Sequence, residues 1–305
     1  MTENINTIQK TDKIALLLRG HVRESFNDKR LYNFIERLVF EYDVDIYVYT
    51  FNIKDAGRIY TDKEVDKKNI TLNDVESYFN NLVRYVKKIV IDENGIAKKD
   101  NERMIHKVSK NKYLHMWSSI LGVINLAKNS DIDYDYAINM RLDYFKLRDQ
   151  FPEFQPKIDI RKLFYIDIFN DFVKKLDENK NKKIIFPHVN LSITNPKNIF
   201  QKKKLEKEDY LSYLNYEYSD FLHGIDNIFA GDLNYLYNVS SIMVNQIDDV
   251  MDFLEKIYDD LGKMCKKLGG KGAAHEAIFP LYIKNTSFAV ANSFRLSSKL
   301  DKTSK

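Results

Sequence analysis

The sequence predicts an α/β protein, with a mostly parallel central sheet flanked by helices. Two continuous apolar runs, IALLL (14–18) and VDIYVYTF (44–51), are typical of strands that are buried on both faces. Between them, residues 25–41 carry apolar side chains at helical spacing. A strand, a helix and a second strand in this order predict a βαβ unit, whose strands are parallel and whose crossover is right-handed.

Length and composition bound the organisation of the chain. Its 305 residues, 44% hydrophobic and 30% charged, fit one large α/β domain with an elaborated C-terminal half, or two small domains. Ten Gly and five Pro are too few for long flexible linkers. We therefore expect a single domain over 13–292 with halves 13–150 and 151–292, a disordered leader at 1–12 and a disordered tail at 293–305.

Charge and cysteine usage limit the class of partner and the compartment. The net charge of +4 and a pI near 8.7 fall short of the footprint of a nucleic-acid-binding domain, although the Lys-rich run 202–209 leaves that alternative open. Cys265 is the only cysteine, which fits a reducing compartment. We do not expect the polar first residues to form a signal peptide, and no apolar stretch approaches the roughly 20 residues of a transmembrane helix. We expect a cytoplasmic protein without a transmembrane segment or nucleic-acid partner.

Further elements follow from apolar periodicity and from turn residues. The predicted elements are a helix over 74–90, a long helix over 103–128, a strand over 136–140, a strand over 182–189 that stops at Pro187, a strand over 228–230 with a helix from Asp232, and an amphipathic helix over 246–268.

A cation and an anion follow directly after the strand at 136–140. Arg141 and Asp143 are two positions apart, so an extended backbone puts their side chains on one side. Ligands of open α/β sheets bind outside the carboxyl ends of the strands, where a carboxylate can hold a divalent metal and an arginine can hold phosphate. The alternative is a structural Arg–Asp ion pair that caps a core strand.

The turn after the first strand is basic and contains a glycine. The turn between the predicted strand and helix contains Arg19, Gly20 and Arg23. Together with the first amides of that helix, these residues form a candidate binding site for phosphate or a nucleotide base. The alternative is a tight turn whose arginines face solvent. Neither a GxGxxG nor a Walker sequence is present, so neither fingerprint applies.

Several blocks occur in a fixed order along the chain, over about residues 13–285. They are IALLLRGHVRESF, VDIYVYTFN, the Trp-containing HMWSSILGVINLA, YDYAINMRLDYF, IDNIFAGD and AAHEAIFPLYI. This set resembles the small GT-A-type glycosyltransferase-like proteins of capsule and lipopolysaccharide gene clusters and of some large viruses. In that family an Arg-X-Asp motif follows the Trp helix, an Asp-containing block comes later, and a His-(Pro)-Glu block lies near the end.

The resemblance implies a GT-A-like, Rossmann-like fold with a C-terminal acceptor-side elaboration. It implies transfer of a sugar from a nucleotide-diphosphate sugar to a glycan, a lipid-linked acceptor or another hydroxyl. Mn²⁺ or Mg²⁺ would stabilise the charge that develops on the leaving diphosphate. The implied roles are metal binding by Asp143 and His275, nucleotide binding by Arg19, Gly20, Arg23 and Arg141, and general-base catalysis by Asp226 or Glu276.

The sequence leaves two alternatives open, one for the roles of His275 and Glu276 and one for the enzymatic function as a whole. His275 and Glu276 also fit the N-terminus of a helix, where a glutamate favours the helix dipole. Arg-X-Asp has a single aspartate where better-known GT-A enzymes have Asp-X-Asp. The lone Asp143 therefore also fits a non-catalytic protein that binds a nucleotide or glycan on a glycosyltransferase scaffold.

Overall fold

The structure is a computed structural model of the chain. It describes the residues 12–54, 68–93, 103–105, 108–147, 173, 184–185, 187–188, 228–252 and 294–295.

Strands and helices alternate over the first half of the described chain. The strands are β1 (Lys13–Arg19), β2 (Asp43–Phe51), β3 (Val86–Asp92), β4 (Met104–Ile105), β5 (Val108–Ser109), β6 (Tyr136–Arg141), β7 (Ile184–Ile185), β8 (Pro187–His188), β9 (Ile228–Gly231) and β10 (Phe294–Arg295). The helices are α1 (Lys29–Glu41), α2 (Leu72–Phe79), α3 (Lys110–Lys128), α4 (Tyr144–Leu147) and α5 (Leu233–Asn245), with 3₁₀ turns at Ser25–Asn27 and Asn80–Tyr85.

Six of these strands form the central sheet, in the order β3-β2-β1-β6-β9-β7. The pairs β1–β2, β1–β6 and β2–β3 are parallel, whereas β9 is antiparallel to both β6 and β7. Two small sheets pair β8 with β10 and β4 with β5. The predicted α/β class and the mostly parallel sheet are confirmed.

The strand order reverses direction between β1 and β6. The chain adds β2 and then β3 on one side of β1, and later returns to add β6 on the other side. At such a point the crossovers on either side diverge, and a crevice opens outside the carboxyl ends of the two strands. The carboxyl ends of β1 and β6 are the segments that contain Arg19 and Arg141.

Burial of both faces explains the continuous apolar runs. Residues 14–18 of β1 are each 0% exposed, because β1 has a strand on either side and side chains packed on both faces. On one face lies α3, whose Trp117 is buried. Gly122 of α3 lies against the ring of Tyr49 in β2, since a Cβ built there would come within 2.6 Å of a ring carbon. The absence of a side chain at 122 therefore lets α3 approach the sheet.

Two predicted helices are wrong over part of their length. The helix predicted over 74–90 ends at Phe79, where Asn80 takes a positive φ of 44°, and Val86–Asp92 is strand β3. The helix predicted over 103–128 begins only at Lys110. The preceding residues form the short antiparallel pair β4–β5, in which β-branched Ile105 and Val108 face each other in the register. Apolar spacing fitted both helices, but β-branched residues favour the strands that form.

The first helix begins later than its apolar pattern predicts. A 3₁₀ turn occupies Ser25–Asn27, and α1 begins at Lys29 after the N-cap Asp28. The Asp28 carboxylate accepts a hydrogen bond of 2.8 Å from the amide of Arg30. A first-turn amide is thus bonded to an acidic side chain of the chain itself, so the helix terminus contributes little to an anion site.

Several other predicted elements fall partly on described residues. The strand after Asp226 is confirmed as β9, and the helix that follows is α5, capped by Asp232 at 2.7 Å from the amide of Tyr235. The strand predicted over 182–189 is split, because β7 joins the central sheet and β8 pairs with β10. The helix predicted over 246–268 is described only as far as residue 252. Among the described helices, none is long and apolar enough to cross a bilayer.

Candidate functional site

Hydrogen bonds of ordinary length hold together the carboxyl ends of β1, β2 and β6. The amide of Gly20 donates to the carbonyl of Tyr49 at 3.1 Å, and the amide of Leu142 donates to the carbonyl of Arg19 at 2.9 Å. Thr50, which is fully buried, donates its hydroxyl to the carbonyl of Gly20 at 2.9 Å. These bonds fix the backbone from which the candidate side chains project.

Arg19 and Arg141 occupy neighbouring positions at this edge. They are register partners on adjacent parallel strands, so their Cα atoms lie about 4.8 Å apart and their side chains leave the same face of the sheet. Arg19 is 2% exposed, whereas the side chain of Arg141 is 22% exposed. The edge thus presents one buried and one partly accessible guanidinium.

Asn139 is a buried hydrogen-bond partner of Arg19. The Nε atom of Arg19 donates to Oδ1 of Asn139 at 2.9 Å, across 120 positions of sequence. Asn139 is 0% exposed, and within the described part of the chain its Nδ2 atom has no hydrogen-bond partner. An unsatisfied buried donor costs about 1–3 kcal/mol, a cost that an oxygen atom brought against it would remove.

The carboxylate of Asp143 is enclosed by two guanidinium groups. Its Oδ1 accepts from Nε of Arg141 at 2.8 Å, and its Oδ2 accepts from Nη2 of Arg141 at 2.8 Å and from Nη1 of Arg23. Asp143 is 0% exposed. Burial by itself raises the pKa of Asp143, but the charges and hydrogen bonds of Arg141 and Arg23 outweigh burial and hold that pKa below its usual value. The carboxylate is therefore ionised at neutral pH.

The turn that brings Arg23 to Asp143 uses two left-handed residues. Gly20 has a φ of 90°, and a Cβ there would meet no atom within 4 Å, so backbone conformation is what favours glycine. Arg23 itself has a φ of 49°, and its amide donates to the carbonyl of Lys54 at 2.8 Å. A non-glycine residue in this region is strained, and a buried ion pair to Asp143 offsets the strain.

An aromatic cluster lies beside the same turn. The ring of His115 stacks on Phe51 with centroids 4.3 Å apart, and His21 lies 4.6 Å from Phe51 and 5.9 Å from His115. The Nδ1 atom of His21 is 3.0 Å from the carbonyl of Ile53. Burial lowers the pKa of His115, against a smaller opposing effect of the Asp92 carboxylate. His115 is thus a neutral imidazole at pH 7.

The structure brings some of the sequence-predicted site residues together. Among the described residues, the five that meet at this edge are Arg19, Gly20, Arg23, Arg141 and Asp143. Asp226, His275 and Glu276 lie outside the described residues, so their assigned roles stay predictions.

Two residues of the site were missed by reasoning from sequence. Asn139 interrupts an otherwise apolar strand, and a lone buried amide in such a strand is a signal that could have been used. His115 falls within a helix whose aromatic side chains fit a core stripe. Nothing local distinguishes it from that core, because its neighbours Phe51 and His21 come from β2 and the first turn.

The donor chemistry at Asp143 does not fit a divalent cation as the side chains stand. Both carboxylate oxygens already accept from guanidinium groups, which would repel a dication at the same oxygens. In the described ranges, no three side chains of the metal-binding types His, Cys, Asp and Glu gather at one place. Since His275 lies outside those ranges, the metal site predicted from the resemblance stays a prediction.

Fold and site together define an α/β protein with a polar, arginine-rich cluster at the carboxyl edge of its sheet, where the strand order reverses. No family model matches the chain, and a search of curated proteins finds no significant match either.

Proposed function

We propose that the protein is a glycosyltransferase that takes a nucleotide-diphosphate sugar and transfers the sugar to a hydroxyl acceptor. The observation that carries the proposal is that Arg19 and Arg141 are register partners on adjacent strands, at the carboxyl ends of β1 and β6. Those are the two strands between which the strand order reverses, the position where open α/β sheets bind their ligands.

The chemistry of the cluster supports a phosphate-bearing ligand. Guanidinium groups bind phosphate oxygens through paired N–H donors, and the buried Nδ2 of Asn139 is a further donor in the described part of the site. In a partly buried site, unit charges 4 Å apart gain roughly 4 kcal/mol, against about 1 kcal/mol in water. The same groups would stabilise negative charge on a diphosphate leaving group.

The strand arrangement supports a GT-A-like fold, as the resemblance implies. A parallel set β3-β2-β1-β6 is followed by the antiparallel β9. Ile228, which begins β9, pairs with Met140, the neighbour of Arg141. Asp226 precedes Ile228 by two positions, which supports keeping Asp226 as the candidate general base, with Glu276 as the other.

Thermal unfolding with a panel of nucleotides tests the binding step. We expect UDP or GDP at about 100 times Kd to raise Tm by about 5 °C, since binding of that strength adds about 2.7 kcal/mol. Arg141→Gln should raise Kd at least tenfold. The matched control is Arg37→Gln, a partly exposed arginine of α1 that pairs with Glu41, and it should leave Kd unchanged. An unchanged Tm across UDP, GDP, CDP and ADP would contradict the proposal.

A second candidate is a non-catalytic binder of the same nucleotide. The observation that favours it is that Asp143 is bonded to two arginines, whereas an Asp-X-Asp motif would supply a second acidic residue. Incubation with radiolabelled nucleotide sugars and an acceptor panel distinguishes the glycosyltransferase from the non-catalytic binder. Transfer that is lost in Asp226→Asn supports the enzyme, whereas nucleotide binding without transfer or hydrolysis across the panel supports the binder.

A further inference from the structure

The partners of Asp143 define what its carboxylate can do. Arg141 contacts both oxygens through its Nε and Nη2 atoms, and Arg23 contacts Oδ2 from the turn after β1. The carboxylate has no exposed surface. It therefore joins Arg141, two positions away in sequence, to Arg23, which is 120 positions away from Asp143.

A metal ligand at this position would require a different arrangement. Mg²⁺ and Mn²⁺ take oxygen ligands at about 2.0–2.2 Å, and they share those oxygens with waters and substrate phosphates. To reach Asp143, a cation would have to displace Arg23 or Arg141 and then remain beside the displaced charge. The observed contacts favour arginines over a cation as the partners of this carboxylate.

We infer that Asp143 is a positioning residue, which orients Arg141 and Arg23 for the diphosphate of the ligand, and that the protein binds this diphosphate without a divalent metal on Asp143. The inference rests on the proposed function. The two bonds from Arg141 use the Nε side of the guanidinium, so the opposite side, which carries Nη1, is turned away from Asp143. Arg141 is also the more accessible of the two arginines, at 22% side-chain exposure against 9% for Arg23.

Calorimetric titration of the full chain with UDP and GDP, in EDTA and again in Mn²⁺, tests the inference without any substitution. We expect Kd values that agree within about threefold in the two conditions. The same titration of Asp143→Asn is made well below the Tm of the variant. It should give a Kd at least tenfold higher than that of the wild type, and this ratio should be the same in EDTA and in Mn²⁺. Asp133→Asn, an exposed aspartate before β6, is the matched control and should leave Kd unchanged.

Three outcomes would overturn the inference, and they are distinguishable. Binding that tightens at least thirtyfold in Mn²⁺, with this gain lost in Asp143→Asn, would identify Asp143 as a metal ligand and leave the proposed function standing. A lower Tm with an unchanged Kd in Asp143→Asn would reduce the residue to a purely structural role. No binding of either nucleotide to the wild-type chain, in EDTA or Mn²⁺, would remove the proposed function together with the inference. Should Asp143→Asn not fold, the wild-type comparison still decides the question of the metal.

Discussion

At the scale of single residues, the site depends on buried polar groups that have few substitutes. Asp143 neutralises charge from Arg23 and Arg141 in the interior, and Asn139 supplies the oxygen that Arg19 Nε requires. Breaking a buried ion pair by removing one partner is costly, because the remaining charge stays buried without compensation. The same residues therefore carry both stability and the proposed binding.

Neutralising Asp143 should destabilise the protein in a pH-dependent manner. We expect Asp143→Asn to lower the free energy of unfolding by about 3–5 kcal/mol at pH 7. The pKa of Asp143 is lowered in the folded state, so the carboxylate contributes fully above its unfolded pKa of about 3.9. The contribution is lost as pH falls through the lower, folded pKa. Urea unfolding at pH 7, 5, 4 and 3 should therefore show a constant difference down to about pH 5, which shrinks below pH 4.

The exposed aspartate Asp133 provides the control for that series. Asp133→Asn removes the same charge at the surface, and it should change the free energy of unfolding by no more than about 0.5 kcal/mol at pH 7. A difference between wild type and Asp143→Asn that grows on acidification would contradict the ion pairs at Asp143.

At the scale of elements, one close approach positions α3 on the sheet. The three atoms nearest to a Cβ built at Gly122 all belong to the ring of Tyr49, at 2.6, 2.8 and 3.0 Å. The Tyr49 hydroxyl donates to Asp92 at 2.5 Å, which restrains the ring. Burial makes the largest contribution to raising the pKa of the Tyr49 phenol, and the hydrogen bond to Asp92 raises it further. The proton therefore stays on the tyrosine. A methyl group added at position 122 therefore fits only if the Tyr49 ring or α3 shifts.

The effect of Gly122→Ala should change sign with the side chain at position 49. In the wild-type background, overpacking against Tyr49 should cost about 1–3 kcal/mol. In a Tyr49→Ala background the ring is removed, and the helix-propensity gain of alanine should make the same change stabilising by about 0.5–1 kcal/mol. Denaturant unfolding of the four proteins measures the coupling.

Gly20→Ala provides a matched glycine control for this cycle. Its cost comes from a φ of 90° and not from a contact, because a Cβ there meets no atom within 4 Å. The cost should therefore be the same, at about 1 kcal/mol, with Tyr49 and with Ala at position 49. Equal costs of Gly122→Ala in both backgrounds would contradict the proximity of Gly122 to the Tyr49 ring.

At the scale of the whole molecule, the sheet is organised around β1. In the described sheet, β1 is paired on both sides by parallel strands, whereas β3 is at the end of the strand order. Residues 14–18 of β1 have no exposed surface, while Lys87 and Lys88 of β3 are exposed. Stability is therefore expected to fall from β1 toward β3, because edge pairing is lost before central pairing.

Amide hydrogen exchange should resolve this gradient. The amides of Leu16, Leu17 and Leu18 should exchange only through global unfolding, with protection free energies equal to the free energy of unfolding in denaturant. Those of β3 should exchange at least tenfold faster under the same conditions. Uniform protection of both strands would contradict the strand order of the sheet.

Part of the fold and of the candidate site could be predicted from local pattern. Buried strands β1, β2 and β6 were predictable because a strand covered on both faces must be apolar throughout. Strand β3 was not, because the uninterrupted apolar run in VKKIVID is only three residues long and the apolar residues of the segment also fit a helical stripe. Turn residues helped at the later elements, where Asp232 correctly marks the start of α5.

The sequence alone was enough to predict that Arg141 and Asp143 lie at or just after the end of a buried strand, and that a basic glycine turn follows the first strand. The folded chain was needed to show that Arg23 bonds to Asp143, that Arg19 bonds to Asn139, and that the strand order reverses between β1 and β6. The difference follows from the distance along the chain over which each signal acts. Periodicity reports which face of a local segment is buried, whereas these pairs join residues 120 positions apart, and their proximity depends on the register of strands that the chain brings together only on folding.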